Sequence, residues 1–381
     1  MVKELMNEKK ILIASSVHVW FDTRIYYKEA LSLLNAGFEV EIIAREFEGE
    51  FSPQVDPRIK LTVLKKSLSR IQAIKAVYQK AINSEADIIH LHDPELLYVG
   101  AKLKKKKSSM KVIFDMHENF PKAIESKEWL PKILRKSFKK IISFLEPKFL
   151  NQMSGVIFAE KSYKKDYSLQ VKTVDIYNLP HDPGFMEHNK NALFTMTYVG
   201  GITKIRGAME MIQLVHFMRS KQKKVVQLRL IGPIDEGLKK TLQNYSITHG
   251  IDQQIQFLGR LGYREIWEEL RQTDLGLCLL HPVPNYVESL PTKFFEYMAA
   301  GVPIVASNFP LWEEFFAINH VGLTCSPYQI EQLAGELAEI IETDDLLKFW
   351  ANEGRRRFLE DYCWEQEEAK LIAFYKEVSV K

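Results

Sequence analysis

Two carboxylates and a lysine lie around one predicted helix start in the second half of the sequence. The segment Glu288 to Ala306 reads ESLPTKFFEYMAAGVPIVA, with seven residues between Glu288 and Glu296. Pro291 suits the first turn of a helix, and Gly301 suits its C-terminal cap. A helix start binds phosphate through its unpaired N–H groups and its dipole, and a carboxylate further along can accept two hydrogen bonds from a vicinal diol. The combination suits a sugar nucleotide.

This stretch resembles the E-x7-E signature of the retaining family-four glycosyltransferases of the GT-B fold, and PTKFFEYMAAG matches a common form of it. The resemblance implies an α/β protein of two Rossmann-like βαβ domains that face each other across a cleft. It also implies a donor site formed by Leu290, Pro291, Thr292, Lys293, Glu296 at the ribose diol and Glu288 near the sugar hydroxyls. Taken alone, the two glutamates also fit an amphipathic helix with a solvated acidic face.

A glycine loop follows a predicted strand in FTMTYVGGITKIRG, residues 194 to 207. Gly200 and Gly201 allow the backbone to approach a diphosphate, and Arg206 offers it a bidentate fork. The segment resembles the opening of the family's donor domain, where an Arg and a Lys five residues apart hold the diphosphate. Here those positions are Gly201 and Arg206, so Lys204 or Lys293 is the candidate for the missing charge. The alternative is a tight turn that binds no ligand.

A second glycine turn, in QFLGRL at residues 256 to 261, resembles the family segment whose backbone faces the nucleobase. Gly259 and Arg260 are its candidate donor-binding residues. A strand that ends in Gly-Arg is common, and an ordinary turn explains the pattern equally well.

In the first half, VIFDMHENF places His117 at the carboxyl end of an apolar strand. The family has a histidine at this position near the donor sugar, so His117 is the candidate catalytic residue, with Glu288 and Arg206. The alternative is a histidine bonded to a neighbouring carbonyl.

This half has two further groups of polar residues. One is His90, His92 and Asp93, and the other is Asp22 and Arg24, which follow the first strand. The histidines superficially suggest a metal site, but the family generally works without a bound cation, so we expect no metal and no cofactor. Asp22 and Arg24 are the acceptor-side candidates. The glycines that many relatives have in this loop are absent, which weakens that analogy.

Basic residues concentrate between Lys102 and Lys148, which holds 14 Lys and Arg against 5 Asp and Glu. Within it, residues 131 to 150 predict an amphipathic helix with an apolar stripe of Leu134, Phe138, Ile141, Ile142 and Leu145 and a cationic face of Lys132, Arg135, Lys136, Lys139 and Lys140. Such a helix can lie on anionic lipid. The alternative is a helix packed on the core with a solvated cationic face.

The whole chain of 381 residues is 46% hydrophobic and carries a formal charge of +3, which excludes a disordered protein and disfavours nucleic acid as a partner. There is no apolar run of membrane-spanning length and no export signal, so we expect a cytoplasmic protein, peripheral at most on the inner face of the membrane. Cys278, Cys325 and Cys363 share no metal-ligand spacing and predict reduced thiols.

Alternating strand and helix patterns predict two βα domains. Pro, Asn, Asp and Gly cluster near 177–191, so we place the first domain at 1–178 and the donor domain at 179–360. Residues 361–381 resemble the family's closing helix, which crosses back to the first domain, and its Trp364, Leu371 and Phe374 are expected to pack. The first helix is predicted from Arg24 to Asn35.

The sequence therefore predicts transfer of a sugar, with retention, from a UDP- or GDP-linked donor to a hydroxyl of a glycan or lipid-linked acceptor in cell-surface polysaccharide assembly. Two alternatives are a GT-B sugar-nucleotide epimerase and a catalytically silent sugar-nucleotide-binding subunit. A nicotinamide dehydrogenase is disfavoured because G-x-G-x-x-G is absent at both strand-to-helix openings. Base, sugar, acceptor and oligomeric state do not follow from the sequence.

Overall fold

The computed structural model describes residues 9–47, 53–117, 120–123, 132–184, 193–221 and 224–379. The chain divides into two compact units. Unit 1 comprises Met1–Asn178 and Trp364–Lys381, and unit 2 comprises Leu179–Cys363.

Unit 1 is built on a parallel sheet whose apolar, β-branched strands are covered on both faces, as parallel sheets require. One face packs on the cluster that contains Ile11, Ile13 and Trp364, and the other on the cluster that contains Leu12, Ala14 and Phe114. The strand order is β3-β2-β1-β4-β5-β6-β7. The strands are β1 (Lys10–Val19), β2 (Glu39–Arg45), β3 (Lys60–Leu64), β4 (Ile88–Leu91), β5 (Lys111–Met116), β6 (Gly155–Phe158) and β7 (Lys172–Asp175).

The helices of unit 1 connect these strands. A π-helical segment, Thr23–Ala30, runs directly into α1. Ser69 and Gln72 form a capping box at the start of α2. The helices are α1 (Leu31–Asn35), α2 (Arg70–Asn83), α3 (Leu96–Lys106), α4 (Phe120–Ala123), α5 (Lys132–Leu150) and α6 (Lys161–Lys164).

Unit 2 repeats the architecture with a parallel sheet in the order β10-β9-β8-β11-β12-β13. Its strands are β8 (Phe194–Val199), β9 (Val226–Ile231), β10 (Ile255–Gly259), β11 (Leu275–Cys278), β12 (Ile304–Ser307) and β13 (Gly322–Cys325). The helices that follow along the chain are α7 (Ala208–Arg219), α8 (Glu236–Thr248), α9 (Tyr263–Leu270), α10 (Pro284–Val287), α11 (Thr292–Ala299), α12 (Pro310–Asn319), α13 (Ile330–Ile341), α14 (Asp344–Asp361) and α15 (Trp364–Ser379).

The sequence patterns missed three features of this fold. The edge strands β7 and β13 were not predicted, because both are short and only partly buried and so lack an apolar run. The predicted helix from Arg24 to Asn35 is not α-helical throughout, since Thr23–Ala30 forms the wider π-helix, a geometry that is frequent at functional sites.

The closing helix α15 belongs to the core of unit 1. Trp364, Leu371 and Phe374 are buried there, as predicted, and the Trp364 indole N–H donates to Ser32 Oγ at 3.0 Å. At the other end, the Tyr375 hydroxyl is hydrogen-bonded to His90 Nδ1 at 2.6 Å. The last helix of the chain thus completes the first unit.

None of the helices in the described residues is both long enough and apolar enough to cross a bilayer.

Replacing Trp364 by Ala should destabilise unit 1 by about 3–5 kcal/mol, because the change leaves a cavity where a fully buried indole packs. Hydrogen exchange followed peptide by peptide reports on the two units separately. We expect faster exchange in β1 and β4 and unchanged exchange in unit 2. The exposed neighbour Gln366 provides the control, Gln366→Ala. Equal protection of β1 in both variants would contradict the role of α15.

Candidate functional site

Glycines at the carboxyl ends of β8 and β9 let two backbone segments of unit 2 approach very closely. Gly200 and Gly232 have φ angles of +136° and +142°, which side chains rarely adopt. A Cβ atom on Gly232 would lie only 2.0 Å from the carbonyl oxygen of Gly200. The two backbone segments therefore pack directly on each other, with no side chain between them.

Arg206 is held back over this loop. The 3-10 turn Lys204–Arg206 ends at Gly207, where φ is +75° and an added Cβ would lie 1.9 Å from Leu279 O. Arg206 Nη1 lies 3.3 Å from the position that a Cβ atom would take on Gly201, and Nε donates to the Tyr286 hydroxyl at 3.1 Å. The guanidinium thus lies against the glycine loop.

Lys293 brings a second positive charge to the same place. The side chain is buried, with Nζ 3.6 Å from the Cβ position of Gly200 and 4.6 Å from the centre of the Tyr198 ring. The Tyr198 hydroxyl donates to Gly201 O at 3.1 Å, which fixes the ring beneath the lysine. Lys204, the other candidate for this charge, is exposed to solvent. The fold therefore brings together Gly200, Gly201, Arg206 and Lys293.

The start of α11 supplies further donors. Pro291 precedes the helix and offers no side-chain hydrogen bond to its first turn, so the unpaired N–H groups expected at a helix start are not capped by a side chain. Trp312 Nε1 donates to Ser289 O at 2.8 Å and holds the approach to the helix.

The remaining candidates of this segment differ in exposure. Leu290, Pro291 and Glu296 are half-buried, whereas Thr292 and Glu288 are exposed, the latter at the end of α10.

The candidate nucleobase segment joins the same edge of the sheet. Gly232 N donates to Gly259 O at 2.7 Å, and Gly259 has a φ of +68° with open space where its Cβ would be. Arg260 is exposed. The glycine turns that end β8, β9 and β10 therefore adjoin one another.

Three tyrosines of unit 2 that contact the site or its supporting strands are not among the residues predicted from the sequence. Besides Tyr198 and Tyr286, the buried Tyr297 hydroxyl accepts from Val199 N and lies 3.2 Å from Thr197 O and Leu277 O, which ties α11 to β8 and β11. Tyr297 is one residue after Glu296, and its phenol in an otherwise apolar helix face was the available signal.

In unit 1, His117 directly follows β5, at the carboxyl end of the strand. Its Nε2 lies 2.7 Å from His92 Nδ1 and 3.3 Å from Asp115 Oδ2. The ring of His18, at the end of β1, stacks on it with centroids 5.5 Å apart. His18 was not singled out in the sequence, although its position near the end of β1 could have indicated it.

Arg24, an acceptor-side candidate, lies in the interior of unit 1. Arg24 is 2% exposed, and its guanidinium donates to both oxygens of Asp115, at 2.7 Å and 3.0 Å, and to Ile176 O at 3.0 Å. A guanidinium that is buried and hydrogen-bonded in this way is not accessible to an acceptor. No local pattern indicates that Asp115, 91 residues later, is its partner.

Asp22 remains partly exposed and begins the π-helical segment, where its carboxylate accepts from the N–H groups of Arg24 and Ile25. Partial burial opposes ionisation, but the hydrogen bond and charge of His18 hold the pKa of Asp22 well below its usual value. Asp93 is buried and accepts hydrogen bonds from the Ser15 and Ser16 hydroxyls.

Glu29, His90, His92 and Asp115 form the one group of possible cation ligands found among the described residues, with ligand atoms within 4.8 Å of one another. Arg24 already occupies part of this group, since it bonds both oxygens of Asp115 and its Nε lies 3.0 Å from Glu29 Oε1. We interpret the group as a network of buried charges around an internal guanidinium. The absence of a bound metal stays a prediction.

Ionisation in this network follows from burial and from Arg24. Burial alone would raise the pKa of Asp115, but Arg24 outweighs it and holds that pKa well below its usual value. Glu29 shows the opposite shift, because burial and the charge of Asp115 raise its pKa well above its usual value. Burial lowers the pKa of His92 to about 4. The histidine is therefore neutral at physiological pH.

Comparison with known proteins gives matches in both units. Residues 186–357 match the family model of glycosyl transferases group 1, and residues 24–172 match that of glycosyltransferase family 4. Glycogen synthase of Mycobacterium tuberculosis (strain CDC 1551 / Oshkosh) is 24% identical over 117 residues, which cover 31% of this chain and 27% of that relative. The match thus spans only about a quarter of that relative's length.

Solved structures resemble the chain over almost its whole length. Sucrose-phosphate synthase from Thermosynechococcus elongatus has a TM-score of 0.74 at 15% identity, covering 97% of this chain and 99% of that one. Anabaena HepE in complex with UDP has a TM-score of 0.68 at 16% identity, covering 97% and 100%. At these sequence identities the similarity is one of fold only. The shared fold is the GT-B type, with two parallel-sheet α/β domains. Unit 2 therefore carries a glycosyl transferases group 1 domain and unit 1 a glycosyltransferase family 4 domain, and the two have the GT-B fold.

Proposed function

We propose that this protein is a retaining glycosyltransferase that moves a sugar from a UDP- or GDP-linked donor to a hydroxyl of a glycan or lipid-linked acceptor. The observation that carries the proposal is the pair of cations, Arg206 and Lys293, beside the bare backbone of Gly200 and Gly201. The match to the group 1 family model and the complex of the similar HepE with UDP support the same donor class. Assembly of a cell-surface polysaccharide is the proposed setting.

Each part of unit 2 then has a chemical task. Arg206, Lys293 and the first N–H groups of α11 bind the diphosphate and stabilise the charge that develops on it as the glycosidic bond breaks. A single well-placed donor of this kind lowers a barrier by about 3 kcal/mol. Glu296, one turn into α11, accepts hydrogen bonds from the ribose diol, and the backbone at Gly259 faces the base.

Transfer with retention follows in this proposal from attack on the face that the diphosphate leaves. The acceptor hydroxyl gives its proton to the departing diphosphate, so no paired carboxylates of a hydrolase are required. Glu288 binds hydroxyls of the sugar, and His117 keeps its proposed role as a contact to that sugar. No cofactor or metal takes part in these steps.

The direct test is a panel of UDP- and GDP-linked sugars, screened by thermal shift and then by transfer to acceptors with the anomeric configuration read by NMR. We expect one donor class to raise the melting temperature and to yield a product of unchanged configuration. Epimerised donor formed without acceptor would instead identify an epimerase, and binding without transfer or hydrolysis a silent subunit. Melting unaffected by every donor would reject the proposal.

Lys293→Ala should weaken the binding of UDP or GDP by about 10- to 100-fold, because a hydrogen bond to a charged group contributes about 1.5–3 kcal/mol. Lys204→Ala is the matched control, since this lysine follows the glycine loop but is exposed, and we expect little change. Isothermal titration calorimetry measures both. A larger loss in the Lys204 variant would transfer the diphosphate role to that residue.

A membrane-bound acceptor is supported by the surface of α5. Phe138, Ile141 and Phe144 are 43%, 55% and 64% exposed, and Leu145 is exposed as well, so this stretch does not pack on the core as the alternative required. Lys136 and Lys140 are exposed on the same helix. Leu134 and Lys132 have side chains outside the described residues. We propose that this basic and apolar surface lies on an anionic bilayer at the inner face of the membrane.

Flotation with vesicles of phosphatidylglycerol and phosphatidylcholine tests the membrane proposal. Wild type should float with anionic vesicles, and Phe138→Ser/Ile141→Ser/Phe144→Ser should not, because the apolar contact is lost. Lys136→Gln/Lys140→Gln should reduce partitioning by roughly 30-fold, at about 1 kcal/mol per charge. A matched triple variant at exposed residues of unit 2, Ile247→Ser/Tyr263→Ser/Tyr328→Ser, should float like wild type. Wild type that stays in solution would overturn the proposal.

A further inference from the structure

One carboxylate in the interior of unit 1 has no hydrogen bond. Glu29 is fully buried in the π-helical segment, and neither of its oxygens has a hydrogen-bond partner among the described residues. Oε1 lies 3.0 Å from Arg24 Nε, but that N–H donates to Asp115 Oδ2 at 2.7 Å. A buried polar group without a hydrogen-bond partner destabilises the folded state, so the burial of Glu29 requires an explanation.

His92 lies between Glu29 and His117. Its Nε2 has no hydrogen-bond partner in the described part of the chain and is 3.5 Å from Glu29 Oε2. Its Nδ1 is 2.7 Å from His117 Nε2, which is hydrogen-bond distance. The three side chains therefore form a line from the sealed interior to His117, whose side chain is 18% exposed.

Two imidazole nitrogens at 2.7 Å share one proton between them. Asp115 Oδ2 lies 3.3 Å from His117 Nε2 and 3.5 Å from His92 Nδ1, so it can accept from either ring, and the partner of His92 Nε2 decides which ring owns the proton. When a protonated Glu29 turns its O–H to His92 Nε2 rather than to Asp115, His92 carries its N–H on Nδ1 and His117 Nε2 accepts. His117 then has its own N–H on Nδ1. With an ionised Glu29 the directions reverse, and His117 Nδ1 becomes an acceptor.

The charges around Glu29 favour the first arrangement. Arg24 and Asp115 neutralise each other through two hydrogen bonds, so an ionised Glu29 would be a second buried anion without a cation of its own. His92 is neutral, since burial lowers its pKa to about 4. A proton on Glu29 satisfies an otherwise unpaired oxygen and an otherwise unpaired nitrogen at once.

We propose that Glu29 and His92 are positioning residues that fix the tautomer of His117, with the proton on Nδ1, so that the ring offers a hydrogen-bond donor on the side away from the buried network. This inference rests on the proposed function in one respect, the role of His117 toward an oxygen of the transferred sugar. Neither Glu29 nor His92 touches substrate.

The tautomer is measured without any transfer reaction. In protein with ¹⁵N-labelled histidine, two-bond nitrogen–proton spectra distinguish the protonated ring nitrogen from the bare one, and His117→Gln identifies the signals. We expect wild-type His117 to be protonated on Nδ1. A proton on Nε2 would overturn the proposal, whatever the protein is found to transfer.

Two substitutions at Glu29 distinguish its role as a hydrogen-bond donor from a role as a negative charge. In Glu29→Gln the amide oxygen faces Arg24 and the NH₂ group faces His92 Nε2, so a donor is retained and the His117 tautomer should stay. Glu29→Met has a similar size but no donor, and it should give a mixture of tautomers. With a donor sugar identified, Glu29→Met should lower kcat by at least about 10-fold with KM for the donor little changed, and Glu29→Gln should keep kcat within about 3-fold.

Tyr375→Phe is the control for general disturbance of the network. It removes the hydrogen bond to His90, which is buried beside His92 but lies off the line from Glu29 to His117. We expect a lower melting temperature and an unchanged His117 tautomer. If Glu29→Gln alters the tautomer as much as Glu29→Met does, Glu29 acts as an anion and the proposal fails.

Discussion

The pairing of Arg24 with Asp115 is the interaction that makes the interior of unit 1 possible. The carboxylates of Glu29 and Asp115 gather with the imidazoles of His90, His92 and His117 near the carboxyl ends of β4 and β5. An unpaired charge in this interior would cost several kcal/mol. One guanidinium occupies both oxygens of Asp115 and the carbonyl of Ile176 after β7. It therefore ties the π-helical segment to β5 and to the residue after β7, and Glu29 has only a share in a cation that two hydrogen bonds already engage with Asp115.

Unit 2 handles its charges in the opposite way. Arg206 and Lys293 have no carboxylate within ion-pair distance among the described residues, and their neighbours are the hydroxyl of Tyr286 and the ring of Tyr198. Aromatic rings hold the cations in place through cation–π contact without cancelling their charge. The positive field at the glycine loop thus remains available to an anion. In unit 1, by contrast, the buried charges pair with one another.

Local patterns were sufficient to predict most of the fold and the glycine loop of unit 2. Strand runs, glycine turns and the start of α11 are written within a few residues, so Gly200, Arg206 and Lys293 could be chosen from the sequence. The network of unit 1 could not, because it depends on pairings between distant segments. Arg24 looks like a surface residue until Asp115 is placed opposite it, and Glu29 looks like a solvated helix position until the sheet covers it.

The glycine at position 201, where the resemblance predicts an arginine, has a geometric explanation. Arg206 Nη1 lies 3.3 Å from where a Cβ atom on Gly201 would be, closer than most real Cβ contacts. The side chain of an arginine at 201 would begin in the space next to the guanidinium of Arg206. It would also place a second positive charge beside that guanidinium. With Gly201 the second charge comes instead from Lys293 on α11, so the loop keeps two cations while its backbone stays open.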